Sequence, residues 1–579
     1  MKKIFLYISV LAAAVACNKA VIDNDPSGVD PVTGIKMITE IISGQRGSAT
    51  KATISNDDAP AFAWTMGDNI AVHVSNGKYV FTSGDGGAST NAATANFTVV
   101  YPEGTSRDAF AVYPSTIVSE TAGNYGQSGA TLDVTLPSSY ALAQVSGTTT
   151  PCPMIATNSP GAGLVFYQLC GLLRLTVNSI PPSTKRLEID FNGNKVWGEF
   201  SIAQTITPGT SDIKTTTGSE NDVIKIFKEG PTEDVTLNNN KWLDDLVLNI
   251  PLPTGAYTSI TVTAFNALSD GEAVLTMTRP FAYTASNEYG TKRTASFPVF
   301  SINTSRSKRV IFAPGNLQAT TTDYGTHWTW GFAEHQYDFL GNDGANTRIN
   351  GKGSLNVATG TVDLFGWSSS ISAYGIHNST NYSAGNNDYL GDFIDWGTIS
   401  TFNGTTYANN YWRTLSSREG SDSYELWYML RTRPNTAVNN EANARYALAT
   451  INTDGTPVKG MIIFPDYYMG PTTSSTDIIW GNLINNYNTY DWNDTKCTVK
   501  GWEILQSAGC VFLPAAGYRE GSTYKADEHH YASSAPGLAY NGNIGGWGNL
   551  QFGCTPYSVY WKVDSKYKGA SVRLAHEVQ

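Results

Sequence analysis

Few residues in this 579-residue sequence have the types and spacing to do chemistry. There are six cysteines, at 17, 152, 170, 497, 510 and 554, with seven histidines and 49 acidic residues. The five cysteines after Cys17 are odd in number and irregular in spacing, so they make no disulfide framework, and no CxxC or Cys/His spacing suggests zinc. Buried thiols are the simpler reading of those five. Glu528-His529-His530 offers metal-ligand atoms, but adjacent side chains do not converge readily and no third ligand is evident. Glu334-His335 reads the same way, as part of a structural turn. Glycoside hydrolysis would need two carboxylates roughly 5–10 Å apart, and no motif singles out such a pair. No GxSxG, HExxH or Walker sequence is present. The segment FLPAAGYREG (Phe512–Gly521) has the look of an active-site loop. The plainer account is a buried strand at Phe512 and Leu513, a bend at Gly517, and Arg519 paired with a carboxylate. The sequence thus names no catalytic residue, no metal ligand and no cofactor, and a protein that is not an enzyme is expected.

Cys17 stands apart. It could be half of a disulfide, a buried thiol, or the first residue of the mature protein. Before it lie Lys2-Lys3, an apolar run from Ile4 to Val15, and small residues. The run is too short to span a bilayer permanently and reads as a signal peptide. Ala14-Val15-Ala16-Cys17 resembles a bacterial lipobox, with Ala where Leu is usual at the first position. That resemblance implies cleavage between Ala16 and Cys17, and acyl chains such as palmitate on Cys17. Asn18–Gly34 is polar and rich in Asp, Pro and Gly, as a tether would be.

The elements that must carry any site are strands. Hydrophobic residues make up 41% of the chain and charged ones only 15%, which marks a folded chain. The net charge of −11, with no basic cluster beyond Lys2-Lys3, argues against nucleic acid. Ile70, Val72 and Val74 alternate up to Asn76-Gly77, then Tyr79 and Phe81 alternate again, the pattern of a hairpin. Further alternating runs lie at Leu132–Leu136, Val165–Leu169, Leu173–Val177 and Leu246–Leu252. Strands at this density without intervening helices predict antiparallel sandwiches. From Arg309 the texture changes to Trp, Tyr, Gly and Asn, with helices expected at Tyr424–Thr432 and Gly501–Gly509.

The first region resembles the fimbrillin family, lipoprotein pilins of Bacteroidales. The matching text is Thr50-Lys51-Ala52, Trp64–Ile70 (WTMGDNI), Ala111–Ser115 (AVYPS), GLVFYQLCGLLRLTV, NKVWGEFSI and IPLPTGAY. The last region resembles a module appended to such surface proteins, distantly like the C-type-lectin-like fold that also holds formylglycine-generating enzymes. Its marks are FAPGNLQ, FAEHQYDFLG, DLFGWS, DWGT, WRTLS, FLPAAGYREG and SVRLA. Trp492-Asn493-Asp494 resembles the WND of calcium-dependent lectins, but no EPN or QPD partner accompanies it and chance is the better account.

The expected organisation is therefore mainly β. It comprises a lipoprotein signal peptide (1–17), a tether (18–37), two tandem antiparallel β-sandwiches of transthyretin-like pilin type (38–165 and 166–304), and an α+β C-type-lectin-like domain (305–579). The pilin resemblance implies a lipidated precursor that reaches the outer membrane and is cut by a trypsin-like protease. Loss of the first strand then lets a neighbouring subunit add its own. Arg46-Gly47 sits where such a cut would fall, with Lys51 as a rival. The expected function is a surface-exposed fimbrial subunit, a tip or accessory pilin. It would accept a strand from other fimbrillin subunits and bind a host or bacterial glycan or protein through its last domain. The competing expectations are a glycan-binding lipoprotein or enzyme of a polysaccharide-use system with pilin-like spacers, and a basal anchor subunit.

Overall fold

The computed structural model of the chain describes residues 37–46, 64, 67–74, 78–83, 94–104, 107–118, 131–146, 152–158, 164–203, 213–285, 289–380, 393–415, 425, 429, 437–438, 441–442, 446–481, 495–526, 549–555, 558–564 and 566–579. It is mainly β, with 47% strand and 7% helix. Two compact units emerge, and each is woven from separate stretches of chain. The first takes residues 1–135, 151–170 and 199–213; the second takes 136–150, 171–198 and 214–579.

The first unit is built on a seven-stranded sheet. Its strands are β1 (Met37–Arg46), β2 (Asn69–Val74), β3 (Lys78–Ser83), β4 (Thr94–Pro102), β5 (Arg107–Tyr113), β6 (Met154–Asn158) and β7 (Leu164–Gln168). The order across the sheet is β3-β2-β5-β6-β7-β1-β4. The hairpin predicted around Asn76-Gly77 is present, with β2 and β3 antiparallel from Asn69↔Ser83 to Val74↔Lys78. Strand β4 alternates exposed and buried residues along its length, and its inward Phe97 and Val99 join Ile70, Val72, Ala156 and Phe166 in one apolar cluster. That alternation is what a half-buried strand needs.

The second unit holds a sandwich and the C-terminal module. One sandwich sheet is ordered β11-β8-β14, from β8 (Gly171–Asn178), β11 (Leu246–Leu252) and β14 (Tyr289–Ser296). The other runs β13-β12-β9-β10 and ends on the short strand Ser139–Ala141. It uses β9 (Arg186–Asp190), β10 (Val223–Phe227), β12 (Gly255–Phe265) and β13 (Ala273–Ala285). Leu173, Leu175, Leu248 and Ile250 from the first sheet meet Leu187, Ile189, Ile226, Ile260 and Val262 from the second in a shared core.

The module has short strands and long connections. Its largest sheet has five strands. Three are β16 (Tyr446–Thr453), β17 (Thr456–Ile463) and β18 (Val511–Pro514); Ile478–Ile479 and Lys496–Thr498 complete it. One helix, α1 (Val499–Ser507), starts two residues before the predicted span because Thr498 caps it, its Oγ1 accepting from the Gly501 N–H. Of the other predicted helix, Glu425 and Met429 are helical and the rest lies outside the described residues.

Strand β15 (Arg309–Phe312) pairs antiparallel with the last strand, β19 (Ala575–Glu577). These two bind the module to its neighbouring sandwich. Val578 is buried in the sandwich core, and Ile311 packs against it. Arg309, 2% exposed, makes a bidentate pair with Asp244 at 2.6 and 2.9 Å and also donates to Ser179 Oγ. Its guanidinium carbon sits 4.6 Å from the centre of the Trp242 ring. Burial alone would raise the Asp244 carboxyl, but the Arg309 hydrogen bonds and charge outweigh it and hold the group below its ordinary value.

Candidate strand-exchange site

The first described strand lies inside its sheet rather than at an edge. β1 is an interior strand, paired antiparallel with β4 from Met37↔Pro102 to Gln45↔Thr94. On its other side Gly44, Gln45 and Arg46 run parallel to Leu164, Val165 and Phe166 of β7. Strand β4 is the sheet's edge and, among the described residues, takes its ladder hydrogen bonds from β1, with β3 lying close by. Removing β1 would therefore open a slot walled by β4 along its length and by β7 over Leu164–Phe166, with their backbone N–H and C=O groups facing it. Each unpaired group costs about 1–3 kcal/mol when kept from water, so such a slot has a strong appetite for another extended strand.

The two walls share a prop. Trp64, 4% exposed, meets Phe97 of β4, Tyr113 of β5 and Phe166 of β7 edge-on, with ring centres 5.2–5.3 Å apart. Edge-to-face contacts of this kind add about 0.5–1.5 kcal/mol each beyond burial. Tyr113 also donates to Asp68 Oδ1 at 2.9 Å. Its hydroxyl is held well above the usual range, by burial first and the Asp68 charge second. The signal was visible in sequence only as the WTMGDNI text, which carries both Trp64 and Asp68.

Arg46 is the last residue of β1. Gly47, the rival Lys51, and the Ala16-Cys17 leader site lie outside the described residues, as do Trp492-Asn493-Asp494 and Glu528-His529-His530, while Cys554 lies in the strand Asn549–Thr555 opposite Val559. Cys152, Cys170, Cys497 and Cys510 are buried thiols. Glu334 and His335 are not brought to any ligand-like cluster: the His335 ring stacks on Tyr337, and its backbone N–H donates to Asp338. Among the described residues no group of three His, Cys, Asp or Glu converges as a metal site.

The module's sequence motifs meet one another, as a frame. In FLPAAGYREG, Phe512 and Leu513 are buried in β18, and Gly517 bends the chain at φ +68°, where a Cβ would lie 2.5 Å from the Lys525 carbonyl. Arg519 corrects the expectation of a carboxylate partner. Fully buried, it donates instead to four main-chain carbonyls, those of Leu364, Gly375, His377 and Gly521. Arg573 of SVRLA is likewise buried and donates to Asn316 Oδ1 of FAPGNLQ, to Oε1 and O of Gln336 in FAEHQYDFLG, and to the Phe512 carbonyl. Burial pulls both guanidinium groups down to about 9, which still leaves them charged at neutral pH. Asp395 of DWGT accepts from Thr414 of WRTLS, and Arg413 of the same motif clasps Glu425 and Glu577.

A second concavity lies between the sandwich and the module of the second unit. It encloses about 390 Å³ and is lined mainly by apolar residues, among them Met277, Pro298, Met469 and Ile504, with Arg279 and Tyr467 supplying polar atoms. Arg279 is already engaged, donating to the Thr294 carbonyl at 2.6 Å.

No family model matches the chain, and no curated protein does. Among solved structures, one neighbour is a protein from Bacteroides ovatus provisionally described as a cell adhesion protein. It is 12% identical with a TM-score of 0.27, over 45% of this chain and 92% of that one. Another is a fimbrial assembly protein from Parabacteroides distasonis, 10% identical with a TM-score of 0.23, over 47% of this chain and 95% of that one. Neither is close enough to assign a fold or a partner to this chain. No helix among the described residues is long and apolar enough to cross a membrane.

Proposed function

We propose that this chain is a non-enzymatic, surface-exposed fimbrial subunit that accepts a strand but offers none, a tip or accessory pilin whose module contacts a glycan or protein on another surface. The observation that carries the reading is β1: an interior strand, paired on both sides, whose last residue is an arginine. Cutting after Arg46 would convert β1 from a tethered strand into a separate peptide. Its effective concentration, in the millimolar range while linked, would vanish. A neighbour's strand could then take the slot by main-chain pairing. At the other end, β19 is paired with β15 and Val578 is buried, so this segment is engaged within its own unit.

In this reading Cys17 carries lipid that brings the precursor to the outer membrane, and the Arg46-Gly47 bond decides whether the subunit stays tied there. Mass spectrometry of the protein's N-terminus, taken from cells that make it, tests this directly. A start at Gly47 is expected. An acylated Cys17 on an uncut chain would overturn the tip reading in favour of a basal anchor. The full-length chain bound to no glycan on an array and to no cell surface would overturn the adhesin half.

A further inference from the structure

The β6–β7 hairpin forms one wall of the β1 slot, and its open end carries a feature the strand-exchange reading does not use. β6 and β7 are antiparallel from Asn158↔Leu164 to Met154↔Gln168. The Leu169 N–H donates to the Pro153 carbonyl at 2.8 Å, one step further along the same register. The next step sets Cys152 against Cys170. Because Pro153 and Leu169 are the hydrogen-bonded pair, Cys152 and Cys170 fall at a non-hydrogen-bonded position. There the Cα atoms of opposed residues stand about 4.5 Å apart, within the roughly 4.4–6.8 Å that a disulfide spans. The two also share a face. Met154 and Ala156 on β6, with Leu164 and Phe166 on β7, point into the core, and alternation carries that face on to residues 152 and 170. Both cysteines are 0% exposed.

We propose that Cys152 and Cys170 are a cross-strand disulfide site, closed by thiol–disulfide exchange with a small-molecule or protein disulfide such as glutathione disulfide, that clamps the open end of the β6–β7 hairpin. One thiolate attacks the glutathione disulfide and expels one glutathione thiolate. The second cysteine thiolate then attacks the mixed disulfide and expels the other, so two thiols are oxidised and one disulfide is reduced to two glutathione thiols. Burial pushes the folded Cys152 thiol up to about 12, leaving almost no thiolate at neutral pH. Exchange therefore belongs to the folding chain, before the first unit closes over the pair. A clamp here fixes a wall of the slot independently of β1. Its occurrence in the cell rests on the export proposed above; the register does not.

The test is to refold the full-length chain in a glutathione redox buffer, alkylate the remaining thiols, and map the digest by mass. The expected result is a peptide pair joining Cys152 to Cys170 with the loss of two hydrogens. Reductant should lower a melting transition by roughly 5–10 °C, and Cys152→Ser or Cys170→Ser should abolish that shift. Alkyl label on both cysteines, or a link to Cys497, Cys510 or Cys554 in their place, overturns the proposal. The mapping needs no variant to fold. It also stands apart from the N-terminal measurement, since a chain left uncut at Arg46 can still form the link.

Discussion

The first unit and the C-terminal module meet the same obligation in opposite ways. Every buried backbone N–H and C=O must find a partner. In the first unit a seven-stranded ladder does most of this, and the interior is a cluster of apolar and aromatic side chains. The module has short strands, long connections and, among its described residues, three buried arginines, Arg309, Arg519 and Arg573. Where strands are too short to satisfy the main chain, a guanidinium with five donors does so from the side. A ladder can be broken and refilled by any extended strand, because its bonds do not depend on side-chain identity. A loop fastened by one arginine has no such substitute. The first kind of construction suits exchange and the second suits permanence.

Losing Arg519 should cost most. Arg519→Met leaves four buried carbonyls without their donor, and about 5 kcal/mol of module stability should disappear in urea titration. Arg519→Lys, with a compact ammonium and no fork, should restore less than half. If the methionine variant melts like the parent, the contrast between ladder and clamp fails. In the first unit Trp64→Ala should cost about 4 kcal/mol. Because the ring touches both slot walls, it should also slow uptake of an added strand peptide after cutting at Arg46; unaltered uptake would remove Trp64 from the site. Arg413→Ala breaks the pairs with Glu425 and Glu577 and should cost about 3 kcal/mol by the same titration.

A pH effect sharpens the picture of the module interior. Burial raises the Asp363 carboxyl from 3.8 to about 6, against hydrogen bonds from Leu340 and Asn346 that act to lower it. A carboxyl whose folded value lies above its unfolded one stabilises fully below the unfolded value, and the benefit is lost as pH rises through the folded value. Stability should therefore fall by up to about 3 kcal/mol between pH 4 and pH 7 relative to Asp363→Asn. Parallel pH profiles for the two proteins would refute this. Smallest in stability and largest in consequence is Arg46→Ala, expected within about 0.5 kcal/mol of the parent yet leaving the chain uncut when N-termini are mapped.

The strands of the first unit and sandwich were legible from a two-residue apolar period, as at Ile70, Val72 and Val74, although β2 is buried on both faces, Ala71 and His73 included. What that period cannot show is which strands become neighbours. Leu246–Leu252, readable as a strand, is followed directly by Gly255–Phe265, yet the two lie in different sheets. Nor does it show that β1 runs parallel to β7, which follows from the three-dimensional crossover. The module's motifs were legible as text but not as chemistry. Arg519 looked like half of an ion pair because sequence displays side chains and hides carbonyls, and its partners are all main chain. The helix at Val499–Ser507 could be read, its start displaced by a threonine cap that apolar periodicity does not register.

That last kind of bond has an evolutionary consequence. An arginine that grips carbonyls makes no demand on the residues that own them. The segments around Leu364, Gly375, His377 and Gly521 are fastened by atoms common to every amino acid, so the fastening itself sets no side-chain identity, although Gly375 and Gly521, at φ +80° and +58°, leave no room for a Cβ. Selection could rewrite the exposed residues around such a fastening repeatedly, provided Arg519 stays in place beneath them.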